Sequence, residues 1–355
     1  MRSTFISLFF VCFACSAGVS SAQSGRKKPS PTPTPNIIIS GPSVSNLLPQ
    51  AVTPAPTPSR RPAAKEEADD IIKVNSVLVP IPVSVVDTNG RAVTNLKLSD
   101  FELKIDGKTV EIADIARSET PIRLAMLFDN SSSVLIARDF EREAAVRFFR
   151  RVIRPDRDKA ALFSVADITR LEQPITSNVG ALVQAIEMFP PPAGATALLD
   201  GVIKVADYLR STNGRRVIVI VSDGEDTISD STFEEAIKSL QINNCQVYVV
   251  NTKDFENYKR TGTRVGNANI RTLTAERRMA EITQQTGGAV YSPIDEDEMK
   301  AAFDRISAEL AQQYILSYYP DDTAEKSGEF RTISLTVKRK NLTVRTRKGY
   351  YVPNR

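Results

Sequence analysis

The sequence contains no histidine. That absence excludes Ser-His-Asp and Cys-His nucleophilic triads, histidine acid–base catalysis and every zinc site with an imidazole ligand. No phosphate-cradling G-x-x-x-x-G-K-[ST] segment and no G-x-S-x-G nucleophile elbow occurs either. Cysteine is nearly as scarce, with three in 355 residues, and two of these, Cys12 and Cys15, stand near the start. Once a leader is removed, Cys245 is left alone and cannot form an internal disulfide. Chemistry in this chain must rest on carboxylates, hydroxyls, lysines or a metal held by oxygen.

Long apolar runs are also missing. After the run from Phe5 to Ala17, nothing reaches the ~18 consecutive apolar residues of a membrane span. Residues 1–22 read as a secretory signal peptide, with Arg2 as the charged start and Ser20-Ser21-Ala22 as a small-residue cleavage site. The mature chain is expected to begin near Gln23 and to reside in the periplasm or outside the cell. Anchoring as a lipoprotein through Cys15 is the disfavoured alternative, because Cys12 occupies the place where such signals carry Leu.

Acidic residues are absent from 1–65, which hold seven basic ones, so residues 66–355 carry 39 basic against 42 acidic residues. The net charge of +4 thus belongs to the tail. The remainder does not have the charge of a nucleic-acid binder, and the tail offers at most a weak contact with an anionic surface. Ten of the 21 prolines fall between Pro29 and Pro62, so 23–70 reads as an extended linker too poor in apolar groups to fold.

Beyond the linker the hydrophobic pattern changes twice. Over 72–120, Val77, Val79, Ile81, Val83 and Val85 alternate, with a turn at Asn89-Gly90. Phe101, Leu103 and Ile105 alternate up to Asp106-Gly107. Pro80 and Pro82 remove two N–H donors from one side of the first strand and predict an edge there. Over 121–312, apolar strands at Ile122–Phe128, Lys159–Val165, Val217–Val221, Val247–Val250 and Ala289–Tyr291 alternate with helical patterns. Those helices fall near 138–153, 178–188, 197–210, 232–242, 273–285 and 296–312. This predicts a doubly wound, mostly parallel α/β sheet. The polar stretch 253–270 shows no period and reads as a surface loop. Period two returns over 313–355, where Ile333, Leu335, Val337, Leu342 and Val344 predict strands that pair with 72–120. The flanking segments would together make a small accessory β-domain around the α/β insertion.

In a doubly wound sheet, ligands bind at the carboxyl ends of the strands. Three segments there carry oxygen side chains: Asp129-Asn-Ser131-Ser-Ser133, Gly194-Ala-Thr196 and Ser222-Asp223. Two carboxylates and three hydroxyls suit a hard cation such as Mg²⁺, and the lack of nitrogen or sulfur selects against zinc and copper. Taken singly, each segment also reads as an ordinary turn or helix cap. Asp200, Glu225 and Asp226 are read as solvated or capping groups, Cys245 as a packed thiol, and Tyr318, Tyr319, Tyr350 and Tyr351 as core and rim of the β-domain.

At these residues the chain resembles von Willebrand factor type A domains over about 120–312. Asp129-x-Ser131-x-Ser133, Thr196 and Asp223 match that family's metal-ion-dependent adhesion site, in the family's order. Val134 departs from a common Met without removing a ligand. The flanks resemble a bacterial exported group often seen in acidobacteria, at Val85-Val-Asp-Thr-Asn-Gly90 and Asp100-Phe101, then at Tyr314-Ile-Leu-Ser-Tyr318 and Arg347-Lys-Gly349-Tyr350. The resemblance implies that Ser131, Ser133 and Thr196 hold Mg²⁺ (or Mn²⁺ or Ca²⁺) by hydroxyl, with Asp129 and Asp223 direct or through water. It also implies a protein partner that presents an Asp or Glu carboxylate. Two other functions remain open from sequence: a cell-envelope assembly factor with a purely structural metal, and a metal-assisted hydrolase. The hydrolase lacks any evident general base.

Overall fold

The computed structural model describes residues 78–263, 269–320 and 327–352. The expected signal peptide and proline-rich linker lie outside the described residues. Four short strands open the fold: β1 (Val79–Asp87), β2 (Phe101–Ile105), β3 (Lys108–Val110) and β4 (Asp114–Arg117). The alternating segment follows as β5 (Ile122–Asp129), α1 (Arg138–Val152), β6 (Lys159–Val165), β7 (Thr169–Thr176), α2 (Val179–Glu187) and α3 (Leu198–Arg210). It continues through β8 (Arg215–Ser222), α4 (Phe233–Ile242), β9 (Cys245–Asn251), α5 (Lys253–Thr261), α6 (Ile270–Thr286), β10 (Val290–Tyr291) and α7 (Glu296–Gln312). Four strands close the chain: β11 (Tyr314–Tyr318), β12 (Phe330–Val337), β13 (Leu342–Thr346) and β14 (Gly349–Tyr351).

The central sheet runs β10-β9-β8-β5-β6-β7, parallel except for the antiparallel edge strand β7. Because side chains alternate along a strand, each buried strand feeds two cores. Leu124, Met126 and Phe128 of β5 join Val217, Val219 and Val221 of β8 beneath α1, α2 and α7. Ala125 and Leu127 join Ile218 and Ile220 beneath α3, α4 and α6. Each such fully buried side chain contributes about 1.5–3 kcal/mol before chain entropy is subtracted.

Two four-stranded antiparallel sheets, β13-β1-β11-β4 and β14-β12-β2-β3, stack on a third core formed by Ile81, Val83, Leu103, Tyr314, Leu316 and their neighbours. The chain is therefore a doubly wound α/β sheet with a small accessory β-sandwich built from its flanks. Asp106 (φ 48°) and Gly107 (φ 77°) are both left-handed, as the two-residue hairpin between β2 and β3 requires.

Two expectations need correction. Strand β1 is not an edge, since it lies between β13 and β11. Its pairing with β13 begins only at Val83, however, and the Pro80 and Pro82 carbonyls accept instead from the Arg347 and Thr346 side chains. The missing N–H groups therefore face a side that β13 never reaches. The second correction concerns 253–270, whose first half is the helix α5. The helix packs Phe255 against Phe140 with ring centroids 5.3 Å apart, and its end is capped by left-handed Gly262.

Candidate functional site

Strands β5 and β8 are central neighbours in parallel register, with Phe128 beside Val221, so their carboxyl ends set Asp129 and Asp223 close together. Asp129 is fully buried. Its Oδ1 accepts from the Ser131 amide at 2.9 Å and its Oδ2 from the Ser222 hydroxyl at 2.6 Å. The Ser131 and Ser133 hydroxyls lie 3.0 Å apart, and Ser133 also approaches the Asp223 carboxyl. Three of the five anticipated residues, Asp129, Ser131 and Ser133, thus form one hydrogen-bonded group, with Asp223 beside it.

Thr196 makes no hydrogen bond to this group, and its backbone is held instead by the loop that follows Asp223. Its amide donates to Thr227 Oγ1 at 2.9 Å, and its carbonyl accepts from the Thr227 amide at 2.9 Å and the Ile228 amide at 3.2 Å. The loop carrying Thr196 is stitched to the one after Asp129 by Ser132 N to Gly194 O at 3.2 Å and Ala193 N to Asn130 O at 2.9 Å. Gly194 has φ +85°, and a Cβ there would stand 2.7 Å from the Asp167 carboxylate, which accepts from the Ala195 amide. Only glycine permits that approach.

Electrostatics at the site favour a positive guest. Burial pushes the Asp129 carboxyl up to about 6, against the hydrogen bonds from Ser222 and Ser131, with the Asp223 charge adding to the rise. Burial also raises Asp223. Its Oδ2 is buried and accepts no hydrogen bond; the Lys253 ammonium stands 3.5 Å away and donates instead to Glu225 at 2.8 Å. A little deeper, Glu141 is fully buried with neither carboxyl oxygen partnered, and burial holds its pKa well above the usual range. The donor set is hard oxygen with an acceptor lacking a donor, which fits a divalent cation of the Mg²⁺ or Ca²⁺ kind. Among the described residues no three acidic or cysteine side chains gather as metal ligands. Hydroxyls would have to complete the coordination.

Sequence reasoning missed Lys253, Ser229 and the bond from Ser222 to Asp129, whereas Asp226 is the capping group it was read as. Asp226 Oδ1 accepts from the Leu198 amide at 2.8 Å and Ser229 Oγ from the Leu199 amide at 3.1 Å, which caps α3 just after Thr196. Ser222 could have been found from its place directly before Asp223. Lys253 carried no local signal. Cys245 is a packed thiol, pushed up to about 12 chiefly by burial.

The surroundings are apolar. Leu135, Ile136, Ile168, Met188, Ile228, Ile270 and Leu273 are exposed, and all belong to loops or helix ends at the edge where the parallel strands finish.

Residues 124–225 match the family model for the von Willebrand factor type A domain. No curated protein matches the sequence. Among solved structures, the chain is similar to an aerotolerance-related membrane protein from Bacteroides fragilis, at 20% identity over 53% of this chain and 98% of that one, TM-score 0.40. It is also similar to a von Willebrand factor type A protein from Catenulispora acidiphila, at 10% identity over 79% and 76%, TM-score 0.44. A third likeness is to the domain of the type V pili tip protein Mfa5 from Porphyromonas gingivalis, at 12% identity over 53% and 94%, TM-score 0.40.

Proposed function

We propose that the protein is an exported binding module that captures a partner's Asp or Glu carboxylate through a divalent cation held by Asp129, Ser131, Ser133, Thr196 and Asp223. The observation that carries this reading is the buried Asp223 Oδ2, which accepts no hydrogen bond and has only the Lys253 ammonium 3.5 Å away, beside the group formed by Asp129, Ser131 and Ser133. When bound, Mg²⁺ supplies a hard electrophilic centre able to accept a further oxygen ligand.

The chain's own residues prepare the site. Ser222 and the Ser131 amide hold Asp129 in one orientation, Asp226 and Ser229 fix the start of α3 beside Thr196, and the exposed apolar residues at that edge supply area for a protein surface. Two carboxylates balance a divalent charge, while neutral hydroxyls leave it attractive to a partner's anion. With no histidine in the sequence, the arrangement has no imidazole general base and serves binding better than hydrolysis.

Thermal stability with and without Mg²⁺ tests the assignment, because a ligand bound only by the native state raises its stability. Wild type should melt higher with Mg²⁺. Asp223→Ala should lose that response, while Thr196→Ala should keep its fold and show a weakened response. Equal responses in all three proteins would reduce these residues to turns and caps.

A further inference from the structure

At the opposite end of the central sheet, where β8 and β9 begin, a second site opens against the β-sandwich. A cavity of about 550 Å³ lies there, within the ~300–1,000 Å³ of small-molecule pockets. Its walls are mostly apolar, with Pro80, Pro82, Ile315 and Tyr351 among them. Among the described residues no Asp or Glu lines it, yet three arginines do: Arg215, Arg216 and Arg347.

The arginines differ in how their donors are used. Arg216 spends its guanidinium on the Thr212, Asn243 and Arg210 carbonyls around the end of α3, so it contributes charge alone. Arg215 is 8% exposed and donates to the Leu310 carbonyl at 2.7 Å, but its Nε and Nη1 are buried with no acceptor. Arg347 donates to Asn244 and to the Pro80 carbonyl, and its Nε is likewise buried without an acceptor. An unmatched buried cation donor is expensive, and proteins rarely keep one without an anion to receive it. Burial lowers both groups to about 10, so each guanidinium is already short of solvation.

We infer that this cavity binds an anionic amphiphile, an alkyl chain carrying one carboxylate, with its head on Arg215 and Arg347 and its tail along the proline and tyrosine walls. The three unmatched N–H donors suit the lone pairs of one carboxylate. The apolar walls suit a hydrocarbon tail, which gains about 0.8 kcal/mol for each buried CH₂. The site lies away from the proposed metal centre and shares no residue with it.

The test titrates the full-length protein with fluorescent parinaric acid in the presence of chelator, so that divalent cations play no part. We expect saturable one-to-one binding, displaced by palmitate and at least tenfold less well by hexadecanol. Arg347→Gln should weaken binding about tenfold, the loss of one charge-assisted hydrogen bond. Ile315→Trp should abolish binding by filling the cavity from a half-buried strand position. Both variants should keep the wild-type circular dichroism spectrum, and if Ile315→Trp does not, Arg347→Gln decides. Non-saturable uptake, equal displacement by acid and alcohol, or unchanged affinity in Arg347→Gln would overturn the inference.

Discussion

Lys253 is the residue that bears most on the proposed metal centre. Its ammonium, 3.5 Å from Asp223 Oδ2, competes for the oxygen that a cation would use. Two unit charges at that distance interact by several kcal/mol at an effective dielectric of ~20, of which solvent leaves a fraction. Lys253→Met should therefore bind Mg²⁺ about tenfold more tightly by calorimetry, while the metal-free variant melts lower than wild type. Glu256, 7% exposed, supplies a pH signature. Burial pushes it up to about 8, with the Asp223 charge adding and Lys253 opposing. An unfolded Glu titrates near ~4.3, so the unfolded chain sheds this proton first and stability drains as pH rises from there to about 8. In chelator, wild type should lose more thermal stability between pH 5 and 8 than Glu256→Gln; parallel profiles would contradict the assignment. The grouping of Asp129, Ser131 and Ser133 was legible because they follow a strand at a fixed local spacing. Lys253 and Ser222 were not, because their roles depend on which strands lie side by side.

Helices and strands with a clear period were legible for the same reason that they are stable: one pattern dictates both burial and conformation. The unread elements lack that pattern. Strand β7 fully buries only Thr169 and carries Pro174, which an edge strand with shifted register tolerates. Helix α5 buries little beyond Phe255 and Glu256, so its apolar content is too thin to show a period. Helix α3 illustrates another limit. Ala197 at its N-cap offers no side-chain acceptor, and the cap comes from Asp226 and Ser229, roughly thirty positions away. Asp226→Ala should cost about 1 kcal/mol in urea unfolding, the usual value of an N-cap, and should loosen the backbone at Thr196. An unchanged midpoint would mean that Ser229 caps α3 unaided.

Across the whole molecule, the sandwich and the central sheet are joined by buried polar groups that no sequence period announces. Gln313 donates to Ser84 of β1 and Gln246 of β9 at 3.0 and 3.2 Å. Glu309, 2% exposed, accepts from Arg345 of β13 and from Tyr291 and Tyr248 of the sheet. Breaking such a buried pair strands the remaining charge, so Glu309→Ala should destabilise the protein by about 3 kcal/mol in denaturant unfolding. A loss under 1 kcal/mol would mean that solvent reaches Arg345 freely. The sequence indicated that 72–120 and 313–355 pair around an insertion, since both alternate in period two; it held no sign of this junction. The insertion has a mechanical consequence. The chain enters the central sheet after β4 and leaves it before β11, and a hydrogen bond of 2.8 Å from Ser118 N to Gln313 O ties the two crossings together. A tug applied at the metal-site face and resisted at β1 would reach the sandwich along two tethers side by side, sharing the tension, so that neither crossing must bear the load alone.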